Sequence, residues 1–131
     1  MGRKFNTLSG GERQRVQFAR SLLQILCVSG KGHERFLLLD EPTSNMDVAH
    51  ELNLLNIARK VCRSGVGVVA VLHDLNLAAR FSDQIILMNS GLIVASGRPE
   101  EVLNDQILSD VYSTELKVEH HDQLNRIVIY S

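Results

Sequence analysis

The sequence predicts an α/β fold, in which short buried strands alternate with amphipathic helices. Two unbroken apolar runs, Phe36–Asp40 and Val66–Leu72, are typical of strands covered on both faces of a parallel sheet. In the segment from about Gly10 to Leu26, apolar residues recur at the helical period instead. These observations predict a mostly parallel sheet with flanking helices, followed by a C-terminal β-hairpin over residues 116–130.

Length and composition restrict the class of protein. The 131 residues fit one small domain or a piece of a larger one, and the hydrophobic fraction of 44% argues against disorder. The 14 basic and 15 acidic side chains give a net charge of −1, so nothing indicates nucleic-acid binding. The apolar runs are too short to span a membrane, and no secretion signal is recognisable. Cys27 and Cys62 are expected to be buried thiols of a cytosolic protein.

The first helix begins with a candidate anion site. Ser9 and Glu12 have the spacing of a capping box, which predicts the helix start. Gly10 and Gly11 lack a Cβ atom, so a ligand can approach their amides closely at the positive end of the helix. The alternative is a glycine turn that serves only to start the helix.

Carboxylates follow the first predicted strand. Asp40 and Glu41 stand at its C-terminal end, where α/β sheets bind ligands. Adjacent carboxylates suit magnesium and can orient a water molecule, although an acid that caps the next turn is an alternative. Asp47 is predicted to cap the second helix.

A histidine follows the second predicted strand. His73 comes directly after Val66–Leu72 and can donate a hydrogen bond to a phosphate oxygen, although an ordinary loop histidine is the alternative. The remaining elements are a short helix through Leu75, Ala78 and Ala79, strands over Ile85–Met88 and Leu92–Ser96, a helix starting around Pro99, and hairpin strands Leu116–His120 and Arg126–Tyr130.

Taken together and in this order, the motifs resemble the ATP-binding subunit of ABC transporters. Leu8–Glu12 is similar to the signature motif, and Phe36–Asp40 to Walker B with Glu41 at the catalytic carboxylate. Ser44–Asp47 resembles the D-loop, with Asn-Met where Ala-Leu is usual, and His73 resembles the switch histidine. The resemblance implies one partial nucleotide-binding domain over residues 1–131: signature helix 8–26, Walker B and D-loop 36–47, switch histidine 73, and a C-terminal α/β extension 84–131.

The resemblance also implies a branch of that family. Val71–Arg80 is similar to the importers that feed iron-chelate, haem and vitamin B12 permeases, and the long connection Cys27–Arg35 resembles the haem importers. The expected function is therefore ATP-driven uptake of haem or a related iron compound. An iron-siderophore or vitamin B12 importer is the alternative within the family.

No G-x-x-x-x-G-K-[ST] phosphate loop occurs in the sequence. The chain therefore resembles only the C-terminal half of the subunit, and the Walker A strand is missing. We expect the chain alone to be inactive, and a catalytically dead half-domain is the alternative of another class. Because that strand lies between Val66–Leu72 and Ile85–Met88 in the family, these two are expected to pair directly, or chains to associate.

By resemblance, each motif implies a role. Ser9, Gly10, Gly11, Glu12 and Asp47 would bind ATP across a dimer of two such subunits. Asp40 would hold Mg²⁺, while Glu41 and His73 would be catalytic. The partners implied are a second ATP-binding subunit, the transmembrane permease and, indirectly, a periplasmic binding protein, with no nucleic acid. The subunit would lie peripherally on the cytoplasmic face of the cell membrane.

Overall fold

The computed structural model describes residues 5–27 and 34–131, which form two compact units divided between Leu72 and His73. Each unit is considered by itself. Most of the connection between Cys27 and Arg35, on which the haem-importer resemblance partly depends, lies outside the described residues.

The first unit is a pair of parallel strands with two helices. Its elements are α1 (Gly10–Cys27), β1 (Arg35–Asp40), α2 (Val48–Arg63) and β2 (Val66–Val71), preceded by a short 3-10 turn at Phe5–Thr7. The strands pair in register from Arg35 opposite Val66 to Asp40 opposite Val71. Helix α2 is the crossover that parallel pairing requires.

One face of this strand pair is buried and the other is exposed. On the buried face, Leu37 and Leu39 of β1 lie beside Val66 of β2. Helix α2 contributes four buried side chains to the same core, namely Leu54, Leu55, Ala58 and Val61. The opposite face presents Phe36, Leu38, Val69 and Val71 to solvent.

The second unit consists of two antiparallel hairpins and three short helices. Its elements are α3 (Leu75–Phe81), β3 (Ile85–Asn89), β4 (Leu92–Gly97), α4 (Pro99–Val102), α5 (Asp105–Tyr112), β5 (Lys117–His121) and β6 (Arg126–Tyr130). Ser90 and Gly91 both have positive φ, as the tight turn between β3 and β4 requires.

The core of the second unit is closed around α5. Leu108 is fully buried, and Val102 and Leu103 retain only 1% and 2% of their accessible surface. Ile85 and Leu87 of β3 and Ile129 of β6 join the same cluster. The Asn76 side chain further ties α3 to β6, because it donates to the carbonyl of Ile129 at 3.1 Å and accepts from its amide at 2.9 Å.

The predicted alternation of helices and strands and the terminal hairpin are confirmed. Three details differ from the sequence prediction. The single helix expected from Pro99 is two helices, because Asn104 is extended and its side chain accepts from the amide of Ile107 to cap α5. Cys27 is exposed at the last residue of α1, and Cys62 is only partly buried.

The expected direct pairing of the second and third strands is wrong. In the described residues β2 pairs with β1 alone, and β3 pairs with β4 alone. The reason is connectivity, since β3 finds a local partner across a two-residue turn whereas a new parallel partner has to come from elsewhere.

Candidate functional site

The start of α1 is a capped helix N-terminus. The amide of Ser9 donates to Oε2 of Glu12 at 2.8 Å, and the amide of Glu12 donates to Oγ of Ser9 at 3.2 Å. This reciprocal pair is the capping box that the sequence predicts. Gly10 and Gly11 form the first turn, where amides have no partner within the helix, so this end can receive an anion.

The two glycines differ in the space around them. A Cβ atom added at Gly10 would meet the Cβ of Asn45 at 3.7 Å, which is an ordinary contact. A Cβ atom at Gly11 would lie 2.9 Å from the carbonyl oxygen of Asn45, too close to backbone that cannot easily move. Gly11 is therefore needed for the packing of α1 against residues 45–46, whereas packing does not require Gly10 to be glycine.

The paired acids lie at the C-terminal end of β1, as predicted. Asp40 is the last residue of the strand and Glu41 follows it, and both are exposed. Glu41 has φ of +43°, a left-handed conformation that is uncommon outside glycine. The chain therefore turns sharply at Glu41, immediately after the last ladder position.

Gln14 is a site residue that the sequence reasoning missed. Its Nε2 donates to Oγ of Ser44 at 2.6 Å and to the carbonyl of Glu41 at 3.3 Å. Ser44 in turn donates to the same Glu41 carbonyl at 2.9 Å. Gln14 thus ties α1 to the turn after β1; the available signal was an amide side chain one turn into a helix that starts with a ligand motif.

Asp47 caps α2 as predicted, and it also contacts a histidine. Its Oδ1 accepts from the amide of His50 at 3.0 Å, and its Oδ2 lies 2.7 Å from Nδ1 of the same residue. The hydrogen bond from the His50 amide, followed by that from the ring, lowers the pKa of the Asp47 carboxyl below its ordinary value of 3.8. The carboxylate is thus held in its ionised form.

His73 belongs to the second unit. It is exposed and stands two residues after the end of β2, one position before Asp74, the N-cap of α3. Oδ1 of Asp74 accepts from the amide of Leu77 at 3.0 Å. The residue after His73 is therefore fixed by a helix cap, which limits the backbone positions that His73 can adopt.

Within the first unit, contacts gather most of the predicted site. The turn between Glu41 and Asp47 lies against the first two turns of α1, through Asn45 and Gln14. The predicted signature, Walker B and D-loop segments therefore meet at one place.

The chemistry of these groups fits the ligands implied by the resemblance. The N-terminus of α1 suits phosphate oxygens, and the exposed carboxylate of Asp40 is a hard oxygen donor of the kind magnesium prefers. Across residues 5–27 and 34–131, His, Cys, Asp and Glu side chains do not gather in groups of three or more that could hold a metal. In the same residues, none of the helices combines the length and apolar character needed to cross a membrane.

Comparison with solved structures identifies the class of fold. An inward-facing ABC transporter of the metal-chelate type aligns with 98% of this chain and 50% of its own, with a TM-score of 0.77 and 23% identity. The dimeric bacterial ABC transporter cassette MJ0796 aligns with 75% of this chain and 39% of its own, with a TM-score of 0.62 and 31% identity. The fold is that of the C-terminal portion of an ABC-type ATP-binding cassette.

Sequence relatives give a narrower result. The chain is 49% identical over 117 residues to the hemin import ATP-binding protein HmuV of Rhizobium meliloti, covering 89% of this chain and 45% of that protein. It is 46% identical over 127 residues to the HmuV protein of Hahella chejuensis, covering 97% of this chain and 49% of that protein. No family model matches the chain.

The chain thus spans slightly less than half the length of the curated relatives it matches. The predicted resemblance to the C-terminal half of an ABC ATP-binding subunit is confirmed, and its nearest named function among these relatives is hemin import. The individual roles of the motif residues stay predictions.

Proposed function

We propose that this chain is the C-terminal half of the ATP-hydrolysing subunit of an ABC importer for haem or a related iron compound. The observation that carries the proposal is the 49% identity to a hemin import ATP-binding protein over 89% of the chain. In this proposal the subunit pairs with a second ATP-binding subunit and docks on the cytoplasmic side of a transmembrane permease. A periplasmic binding protein would act through that permease.

The N-terminus of α1 would bind the phosphates of ATP held by the partner subunit. Ser9 caps the helix with its side chain, so the amides of Gly10 and Gly11 face outward at the positive end of an 18-residue helix. Glu12 would fix the cap from the other side. The site would thus add its contacts only when two subunits close on the nucleotide.

The turn after β1 would carry the hydrolysis step. Asp40 would hold Mg²⁺ together with phosphate oxygens and water, which is how magnesium is usually bound beside nucleotides. Glu41 would accept a hydrogen bond from the attacking water and orient it. His73 would donate a hydrogen bond to the γ-phosphate, and Asp47 would couple the two sites from the cap of α2.

Catalysis of this kind rests on positioning and charge stabilisation rather than on covalent chemistry. The sequence of 131 residues holds no phosphate loop, which supplies the main cradle of amides and a lysine. The chain by itself should therefore neither hydrolyse ATP nor bind it tightly. This same observation favours a second candidate, a half-domain without catalytic activity that acts only by binding a partner.

Purified chain separates these possibilities at the first level. We expect no turnover and an ATP dissociation constant weaker than about 1 µM, measured by calorimetry. Binding tighter than that, or turnover abolished by Glu41→Gln, would show that the nucleotide site does not depend on a phosphate loop.

The catalytic assignment is tested in a complete subunit whose C-terminal half is this chain. Glu41→Gln should retain ATP binding and lower turnover by about 10²-fold or more, because the amide cannot act as a base. Glu34→Gln is the matched control, since Glu34 is an exposed acid just before the same strand. Near-normal turnover of the Glu41 variant with its permease would contradict the assigned role.

The two glycines offer a second, structural control. Gly10→Ala should preserve folding, because the added Cβ has room, yet weaken ATP-dependent dimerisation of the complete subunit. Gly11→Ala should lower the stability of the chain itself, because its Cβ collides with the Asn45 carbonyl. Haem uptake compared with siderophore and vitamin B12 uptake, in vesicles with the permease, then identifies the transported compound.

A further inference from the structure

The first unit has an apolar face that its own residues leave uncovered. Phe36, Leu38, Val69 and Val71 retain 60%, 74%, 57% and 50% of their accessible surface. The register places them on one side of the β1–β2 pair, opposite the face that packs against helix α2. We call these four residues the open face.

The middle of the open face is shaped for contact. The Phe36 ring lies across β2 over Gly67, and a Cβ atom at Gly67 would collide with it. Parallel strands almost always have both faces covered, because the crossover connections place helices there. A parallel pair with one apolar face in water is therefore a layer that lacks its second cover.

The second unit shows the same feature independently. On β3 and β4, Ile85 and Leu87 point into the core, while Ile86, Met88 and Ile93 on the other side are 61%, 58% and 63% exposed. An antiparallel pair can leave one face in water, but that face is then normally polar. Its apolar character indicates that this face is also covered in the assembled protein.

We propose that both faces are docking surfaces for the N-terminal half of an ATP-binding cassette, and that this half binds the chain even when supplied as a separate polypeptide. More than half the length of the R. meliloti relative has no counterpart in this chain, although the match covers 89% of the chain. The occupant would be a segment with an apolar strand for the edge of β2 and an apolar helix side for the open face.

A second copy of this chain fits the open face less well. Two copies related by a two-fold axis that pair through the same strand edge place those strands antiparallel, whereas β1 and β2 are parallel. A two-fold pair would also leave the faces without the helices that cover parallel sheets. Charge does not select for either occupant, since all four side chains of the open face are neutral.

Binding in trans is the first test. The 131-residue chain is co-expressed with the portion of the R. meliloti protein that precedes the matched region, and the mass of the product is measured by light scattering. We expect a 1:1 complex of the two pieces. Leu38→Lys and Val69→Lys should each weaken it at least tenfold, while Leu124→Lys, at a side chain 51% exposed on the terminal hairpin, should not. Homodimers alone, or equal effects of all three variants, would overturn the proposal.

Footprinting gives a measurement that does not require the separate half to fold. The same N-terminal portion is fused ahead of the chain, and hydroxyl-radical oxidation of Phe36 and Met88 is compared with that in the chain alone. We expect oxidation of both to fall several-fold in the fusion, while oxidation of Tyr112, 47% exposed on α5, is unchanged. Unchanged oxidation of Phe36 and Met88 would overturn it. Neither measurement uses ATP turnover, so it can fail or succeed independently of the proposed function.

Discussion

The two units of the chain form their sheets in different ways. In the first unit β1 and β2 are parallel, so 25 intervening residues including the whole of α2 must be ordered before Asp40 and Val71 can pair. In the second unit β3 and β4 are joined by a two-residue turn, and β5 and β6 by four residues. The motif residues of the first unit thus stand on a sheet built by distant contacts, whereas the second unit is built by local ones.

This difference separates the place of chemistry from the place of stability. Asp40 and Glu41 are exposed at the end of a strand with one open face, which suits a site completed by other surfaces. Leu108 lies in a closed cluster that needs nothing further. We therefore expect the second unit to hold its structure in the isolated chain more firmly than the first, and the predictions below test that contrast.

The largest effect should come from a core deletion in the second unit. Leu108→Ala removes a fully buried side chain and should lower the free energy of unfolding by about 2–5 kcal/mol. Leu38→Ala, at a side chain 74% exposed in the first unit, should change it by less than about 0.5 kcal/mol. Urea unfolding of both variants followed by far-UV circular dichroism measures the difference. Equal losses would mean that the open face is covered in the isolated chain.

Sequence reasoning succeeded where a short segment decides its own conformation. Ser9 and Glu12 predict their capping box from spacing alone, and the observed α1 ends within one residue of the predicted end. Asp47 predicts the start of α2 for the same reason. These signals are local, since each cap is completed within three residues along the chain.

The same reasoning failed where distant residues decide. Gln14 contacts a turn 27 to 30 residues away, and nothing in its own segment indicates that partner. The left-handed conformation of Glu41 likewise depends on the bonds that Ser44 and Gln14 make to its carbonyl, which appear only after folding. Part of the candidate site was therefore recognisable as a motif, while the contacts that hold it were not.

A smaller effect is expected from the bond between α3 and β6. Asn76→Ala removes both hydrogen bonds to the Ile129 backbone and leaves part-buried polar groups unmatched. The loss should be about 1–3 kcal/mol. Gln106→Ala, which removes only exposed bonds to Asp110 within one helix, is the control and should cost less than about 0.5 kcal/mol. Hydrogen exchange at the Ile129 amide should accelerate in the first variant alone, and unchanged exchange would mean that α3 does not hold β6.

The smallest effect concerns the helix caps and distinguishes the two units by pH. Hydrogen bonds from His50 lower the pKa of Asp47 in the folded chain below 3.8, so its contribution to stability is present above that value. It is lost as the pH falls through the lower, folded pKa. Asp47→Asn keeps a capping side chain but does not titrate. Wild type should therefore be more stable than this variant at neutral pH, with the advantage fading in acid.

Asp74 in the second unit supplies the matched control for this pH effect. It caps α3 through the amide of Leu77 at 3.0 Å, the same geometry that Asp47 has with His50, but leucine offers no ring nitrogen. Asp74→Asn should therefore alter stability less than Asp47→Asn at neutral pH. Urea midpoints of the four pairings, wild type against each variant at neutral and at acid pH, measure both differences. If the two substitutions had equal effects at every pH, the imidazole contact would contribute nothing, and the cap of α2 would be an ordinary helix start.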